Sequence, residues 1–407
     1  MRSLNIKFHK ALKNIIRLNS SKSESNRALI IKYLSEEIIK IKNLSNANDT
    51  ILLKNLLLKN SSSIWDVEDA GTTMRFLTSY IAINKKNIIL TGSKRMKKRP
   101  ISILVESLKS IGCKIEYIEK DGYPPIIINE KISKKNNYIE IKGNISSQYI
   151  SSILMIAPKL KKGISLKILE PFYSKPYVMM TLKLMKKFGI SNKFENNIIT
   201  VKNQKYKEGT YTVEADWSAA SYWYSIVAIN KNINNLKLKG LRKDSLQGDQ
   251  IISEIMISFG VSTKYVKDGI ILNKNKTHIS YQEIDFKNCP DLAQSILVIA
   301  SKKKINLKII GVESLKIKET NRLLAMKTEL KKIGINFYNN KNEWFLDTSK
   351  YKLSDKISIS TYKDHRMAMA FSPLASECDL TIQDPDVVNK SYPNFWKDLK
   401  NVGYKVN

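Results

Sequence analysis

Five stretches of this chain repeat one pattern. "VESLKSIGCKIEYI", "TLKLMKKFGISNKF", "ISEIMISFGVSTKYV", "KTELKKIGINFYNN" and "FWKDLKNVGYKV" each read as an amphipathic helix, a glycine and then an alternating strand. The glycines are Gly112, Gly189, Gly260, Gly334 and Gly403, separated by 77, 71, 74 and 69 residues. A glycine at that place closes a helix by taking a left-handed conformation that side chains resist. Regular spacing over most of the chain marks an internal repeat. At 407 residues the chain has room for about six copies. A degenerate first copy is therefore expected near the N-terminus, where "TILLKNLLL" is the candidate.

Each copy also holds an earlier helix with a polar start and an apolar body. The starts are "SSKSESNRAL", "EDAGTTMRFL", "GNISSQYISSIL", "EADWSAASYW", "NCPDLAQSIL" and "YKDHRMAMAF". All carry Ser, Thr, Asp or Gly, the chemistry of helix caps. The unit is then βαβαββ, repeated six times. Three units per domain predict an α/β protein of two similar domains.

Composition narrows the function. The longest apolar stretch, around "AASYWYSIVAI", is far short of the ~18–20 residues of a membrane span. The first twenty residues lack a signal-peptide apolar core. Cys113, Cys289 and Cys378 are scattered and only three histidines accompany them, so no zinc site and no cofactor is expected, and a reduced cytoplasmic setting is. The formal charge of +32 invites a polyanion partner. Yet the basic residues are 60 Lys and only 9 Arg, in Lys-Asn-Ile runs such as "SKKKINLKII" that drift toward A/T-rich codons also produces.

The scarce arginines say more. Arg27, Arg75, Arg95, Arg99, Arg322 and Arg366 sit in or beside short polar motifs. Guanidinium presents a planar fork suited to carboxylate and phosphate, which lysine cannot imitate. Four of the six helix starts place a basic side chain or an amide just inside the cap: Lys22 with Arg27, Arg75, Gln148, and His365 with Arg366. "IKETNRLLAM" adds Lys318, Glu319 and Arg322. Helix N-termini carry free N–H groups and partial positive charge. A cap with a satisfied ion pair is the plain reading of any one of them. Several together predict a receptor for anions.

Eleven motifs, in order, carry a resemblance: "SKSESNRAL", "DAGTTMRFLTSY", "LTGSKRMKKRPI", "GNISSQYISSILMIAP", "SKPYV", "VEADWSAASYW", "SLQGD", "CPDLA", "IKETNRLLAMKTEL", "YKDHRMAMAF" and "VNKSYPNFW". The chain resembles the 5-enolpyruvylshikimate-3-phosphate synthases (3-phosphoshikimate 1-carboxyvinyltransferases) of the enolpyruvyl transferase family. The resemblance implies an inside-out barrel of two domains, each of three βαβαββ repeats, with ligands in the interdomain cleft. It puts residues 1–20 plus 215–407 in one domain and 21–214 in the other. The former would supply mainly phosphoenolpyruvate and catalytic residues, the latter mainly shikimate 3-phosphate residues. The implied reaction is enolpyruvyl transfer from phosphoenolpyruvate to the 5-hydroxyl of shikimate 3-phosphate, in aromatic amino-acid biosynthesis.

By the same resemblance, Lys22, Ser23, Arg27, Ser146, Ser147, Gln148, Ser174, Tyr177, Asp291, Ser314 and Lys318 bind shikimate 3-phosphate. Lys22, Gly71, Arg99, Gln148, Arg322, Arg366 and Lys390 hold phosphoenolpyruvate. Asp291, Glu319 and Lys22 handle protons: Asp291 takes the hydroxyl proton and Glu319 delivers or shuttles one at the methylene carbon. Asp69, Thr72, Arg75 and His365 are loop or supporting residues. Gly71, lacking a Cβ, lets the loop approach its ligand closely and implies sensitivity to glyphosate. The chain departs from the family at Asn19-Ser20, where Pro-Gly is usual, at Ser314, where asparagine is common, and at Asp69, also often asparagine.

Two rivals remain. An enolpyruvyl transferase acting on UDP-N-acetylglucosamine would use a reactive loop cysteine, and none of the three cysteines sits in such a setting. A basic polyanion-binding protein on a decayed enzyme scaffold would interleave basic patches with exposed aromatics, which the sequence does not do. The expected partners are two small molecules, with no specific nucleic acid, no membrane and a monomeric chain.

Overall fold

The computed structural model of the chain describes residues 2–58, 62–84, 87–132, 136–341 and 343–407. All five repeat glycines have positive φ, between 73° at Gly334 and 116° at Gly403. Each repeat helix thus stops where a residue without Cβ turns the chain into the following strand.

The repeat is plainest over residues 138–201. Strand Tyr138–Lys142 leads through helix Ser147–Ile156 to the parallel strand Ile164–Leu169. Helix Lys175–Lys187 follows, then the hairpin Lys193–Glu195 and Ile198–Val201, which pairs antiparallel with Ile164–Leu169. Sheets spanning 64–130 and 281–347 follow the same plan, one parallel pair extended by an antiparallel hairpin.

The other three sheets are permuted. The sheet of Leu236–Lys239 takes its parallel neighbour from Ile15–Arg17. The last sheet inserts the first strand, Ser3–Phe8, between Asp379–Gln383 and Tyr404–Val406. The degenerate copy is a parallel pair, Ile39–Lys42 with Gly209–Thr212. It carries helices Lys22–Leu34 and Asn48–Leu58, the second of which contains "TILLKNLLL".

Contacts divide the chain into two compact units, Lys22–Val213 and Met1–Ser21 with Glu214–Asn407. In the first, the leading helices of three copies, Lys22–Leu34, Gly71–Asn84 and Ser147–Ile156, pack on one another. Every residue of Ser147–Ile156 is buried except Gln148. In the second, Trp217–Ile229, Ala293–Lys303 and His365–Phe371 do the same. There Ser218 is the one residue of Trp217–Ile229 that is not buried, and His365–Phe371 is buried throughout. Apolar character on all sides suits helices enclosed by sheets. Gln148 and Ser218 are both polar and lie in the first turn of their helices. Among the described residues no helix is long and apolar enough to cross a membrane.

The glycines can be ranked by what surrounds them. A Cβ on Gly334 would lie 2.1 Å from the Lys350 carbonyl oxygen, whereas one on Gly189 would meet only the aliphatic stem of Lys207, at 2.7 Å. Both pay the left-handed penalty of ~1–2 kcal/mol, but only Lys207 can move aside. Gly334→Ala is expected to lower the urea midpoint clearly more than Gly189→Ala. Equal midpoints would contradict this account of the turns.

Candidate active site

Within Lys22–Val213, three helix starts carry the sequence-predicted residues. Lys22 opens its helix and pairs with Asp49 at 3.2 Å, both mostly buried. Ser23 lies one residue on, half-buried. Ser146 caps helix Ser147–Ile156, its hydroxyl accepting from the Gln148 N–H at 3.3 Å. Gln148 then reaches across to the second start, its Nε2 donating to the Thr72 hydroxyl at 3.0 Å. Ser147 and Thr72 are buried beside them.

Gly71 begins the helix Gly71–Asn84, and two guanidinium groups crowd its missing side chain. A Cβ there would lie 2.5 Å from Arg99 Nη1 and 2.9 Å from Arg75 Nη1. Arg75 is braced by the Gly71 carbonyl at 3.0 Å and the Pro100 carbonyl at 3.3 Å. Arg99 is only 7% exposed, and its Nε is buried without a hydrogen-bond partner. Cations at a helix N-terminus oppose the helix dipole, and an unmet buried donor is costly. An anion would relieve both.

Arg27 faces inward. Its Nε donates to the Thr181 hydroxyl at 2.7 Å, Nη1 to the Ser23 carbonyl at 2.9 Å, and Nη2 to Ser151 and the Tyr177 carbonyl at 3.3 Å. Burial pulls its pKa down to about 10, with Tyr177 and Glu24 offsetting part of the effect. Arg27 thereby ties three helices together beneath Ser23 and Tyr177. Ser174 precedes helix Lys175–Lys187 at φ 57°, a left-handed serine whose side chain makes no capping bond. Such strain clusters at ligand sites. Asp69 is exposed and accepts from the Ser93 hydroxyl.

The other unit assembles an ion cluster. Arg322, 2% exposed, donates through Nε to Asp364 at 2.7 Å, through Nη1 to Asp291 at 2.9 Å and through Nη2 to Glu319 at 2.8 Å. Arg366 donates through Nη2 to the other Asp291 oxygen at 2.8 Å, and through Nη1 to the Asp291 carbonyl at 3.1 Å and the Tyr222 hydroxyl at 3.3 Å. Its Nη2 also approaches Ser218, whose hydroxyl donates to the buried Asp249. Asp364 caps its helix by accepting from the Arg366 N–H at 2.9 Å, and His365 Nδ1 lies 3.6 Å from its carboxylate. Lys318 and Glu319 are half-buried beside this cluster, Ser314 is buried in the preceding 3-10 turn, and Lys390 ends another, half-buried.

Burial pushes the Asp291 carboxyl up, but Arg366, Lys318 and Arg322 outweigh it and hold the group well below the usual carboxylate range. Burial likewise disfavours the Arg322 cation, and Asp364, Glu319 and Asp291 more than reverse this. Three cations thus face three carboxylates.

Several contributors had no assigned role in the sequence reading. Asp49, Ser218 and Tyr222 are partners of predicted residues, and Asp249 is a partner of Ser218. Asp364 lies within "YKDHRMAMAF", where it both caps its helix and binds Arg322. "SLQGD" contains Asp249, and "EADWSAASYW" contains Ser218 and Tyr222.

The sequence matches the family described as EPSP synthase (3-phosphoshikimate 1-carboxyvinyltransferase) over residues 54–399. It is 42% identical over 399 residues to the 3-phosphoshikimate 1-carboxyvinyltransferase of Bacteroides fragilis strain YCH46, covering 97% of this chain and 96% of that one. The enzyme of the same name from Buchnera aphidicola subsp. Cinara cedri is 35% identical, with 98% and 97% covered. In fold, the chain is similar to an EPSP synthase from Acinetobacter baumannii, with TM-score 0.77, 19% identity and 100% of both chains covered.

Removing Arg322 would strand Asp291, Glu319 and Asp364. Arg322→Met is expected to lose ~3–5 kcal/mol of stability at pH 7, measured by urea unfolding. In the native protein the Asp291 contribution is complete above its unfolded pKa of ~3.9 and is lost only as pH falls through its lower folded value. In the variant that depression is weaker, since only Arg366 and Lys318 remain to sustain it, so the gap from the native protein should hold between pH 7 and pH 4 and narrow as pH falls below ~4. A gap independent of pH would contradict the ion-cluster account.

Proposed function

The chain belongs to the EPSP synthase (3-phosphoshikimate 1-carboxyvinyltransferase) family, whose reaction moves the enolpyruvyl group of phosphoenolpyruvate to shikimate 3-phosphate in aromatic biosynthesis; from that premise we propose how its side chains divide the work. Lys22, Ser23, Arg27, Ser146, Ser147, Gln148, Ser174 and Tyr177 bind shikimate 3-phosphate, with Ser314 and Lys318. Gly71, Arg99, Arg322, Arg366 and Lys390 bind phosphoenolpyruvate, with Lys22 and Gln148. Asp291, Glu319 and Lys22 carry the proton transfers. The protein acts as a monomer in the cytoplasm.

The observation that carries this reading is the cluster around Asp291. Both substrates are phosphate and carboxylate anions, and the phosphate alone contributes about −1.5 to −2 charges. Arg366 and Arg322 grip Asp291 through separate oxygens at 2.8 and 2.9 Å. A carboxylate so held is ionised but too weakly basic to take a hydroxyl proton well. When phosphoenolpyruvate takes the Arg366 fork, Asp291 loses a cationic partner and its basicity rises. It then accepts the proton of the 5-hydroxyl as that oxygen attacks C2 of phosphoenolpyruvate. Glu319, half-buried against Arg322, is positioned to deliver a proton to the methylene carbon. Phosphate then leaves the tetrahedral adduct as Glu319 takes a proton back from the new methyl group to restore the C=C bond and Asp291 returns its proton to the departing phosphate, while the guanidinium groups stabilise the anion that leaves.

Purified protein should release phosphate from phosphoenolpyruvate with shikimate 3-phosphate, and not with either alone or with UDP-N-acetylglucosamine. Asp291→Asn should lower kcat by ~10²–10⁴. Release with UDP-N-acetylglucosamine instead, or an unimpaired Asp291→Asn, would overturn the reading. At Gly71 the added methyl of Gly71→Ala must push the Arg99 guanidinium aside. The KM for phosphoenolpyruvate should rise ~10-fold or more, inhibition by glyphosate should weaken in parallel, and the KM for shikimate 3-phosphate should stay near native, as steady-state kinetics would record.

A further inference from the structure

Helix Arg322–Lys331 carries Arg322 at its first residue and Glu329 two turns later. Glu329 is fully buried, yet none of its hydrogen bonds goes to the ion cluster. Its Oε1 accepts from the Tyr362 hydroxyl at 2.7 Å. Its Oε2 accepts from the Ser360 N–H at 3.1 Å and from Lys332 Nζ at 2.6 Å. Ser360 and Tyr362 belong to the short connection between strand Lys356–Ile359 and helix His365–Phe371.

That connection has an unusual shape for its sequence. The Asp364 N–H donates to the Thr361 carbonyl at 2.9 Å, closing a four-residue turn. Its central residues, Tyr362 and Lys363, have φ of 53° and 57°. Two consecutive left-handed residues define the mirror-image turn normally built from asparagine and glycine. Tyrosine and lysine resist it, so contacts from outside the turn must hold it. Glu329 makes two of them, one on the backbone before the turn and one on a side chain within it. The turn delivers Asp364, which binds Arg322 Nε at 2.7 Å and caps the Arg366 N–H at 2.9 Å.

We propose that Glu329 is a positioning residue for the reaction: it holds the left-handed turn at Thr361–Asp364, and through Asp364 it sets both Arg322 and Arg366. The claim rests on the assignment of those two arginines to phosphoenolpyruvate. Glu329 touches no reacting atom.

The test compares Glu329→Ala and Tyr362→Phe, each alone and with Lys363→Gly, which removes the steric objection at one of the turn's two left-handed residues. Lys363 is exposed and belongs to no part of the site. Glu329→Ala should lower kcat/KM for phosphoenolpyruvate ~10–100-fold, because a small displacement of a binding fork costs that much. The KM for shikimate 3-phosphate should stay within ~2-fold. Adding Lys363→Gly should recover most of the loss, while Lys363→Gly alone leaves the kinetics native. If Glu329→Ala does not fold, the Tyr362→Phe pair gives the same reading at a loss of a few-fold. An equal loss for both substrates, or no recovery with Lys363→Gly, would overturn the role. Arg366→Lys, run alongside, separates the two claims. A raised KM for phosphoenolpyruvate there, with native kinetics in the turn variants, overturns the role of Glu329 alone. A native KM in Arg366→Lys overturns the assignment beneath it.

Discussion

A helix enclosed on all sides meets its ligands only through its ends. Each unit packs three such helices together, and their bodies are buried almost completely. The accessible chemistry is therefore confined to the end turns and the loops that join them. N-termini also bring free N–H groups and a favourable dipole for anions. This explains why Gln148 and Ser218 are the polar exceptions in otherwise buried helices. It also explains why the same βαβαββ unit, repeated, supplies one helix start after another for a reaction between two anions.

Concentrating cations this way has a cost that the fold meets with carboxylates. Arg322 is enclosed by Asp291, Glu319 and Asp364, and Arg366 by Asp291, Tyr222 and Ser218. Burying a guanidinium is tolerable only when its donors are met. With three cations balanced against three carboxylates, the binding proposed here is an exchange of partners and not a simple addition. Arg99 is handled differently: its buried Nε is left unmet beside the Gly71 helix, and an incoming anion would satisfy it directly.

Much of this was legible because the signals are local. The five glycines close helices at positive φ, as helix–glycine–strand wording requires. "KDHRMAMAF" reads as a capped, buried helix, and Asp364 does cap it. The strand partnerships were not legible. Ser3–Phe8 pairs with residues near 380 and 405, and Ile15–Arg17 with residues near 238, so no local pattern announces them. The inward turn of Arg27 depends on Thr181 and Ser151, far along the chain. The left-handed Tyr362–Lys363 turn contradicts its own residue preferences, and only Glu329, some thirty residues earlier, explains how it persists.

The partner exchange at Asp291 is the centre of the account, and the titration of that one carboxyl tests it most directly. Carbon-13 NMR of the labelled Asp291 side chain would follow it in the free protein and with saturating phosphoenolpyruvate plus an acceptor lacking the 5-hydroxyl, so that no turnover occurs. The account predicts a carboxyl held well below the usual aspartate range when free, rising once phosphoenolpyruvate draws Arg366 away. A titration unchanged by the ligands would mean that Arg366 keeps Asp291 throughout, and the exchange would be contradicted.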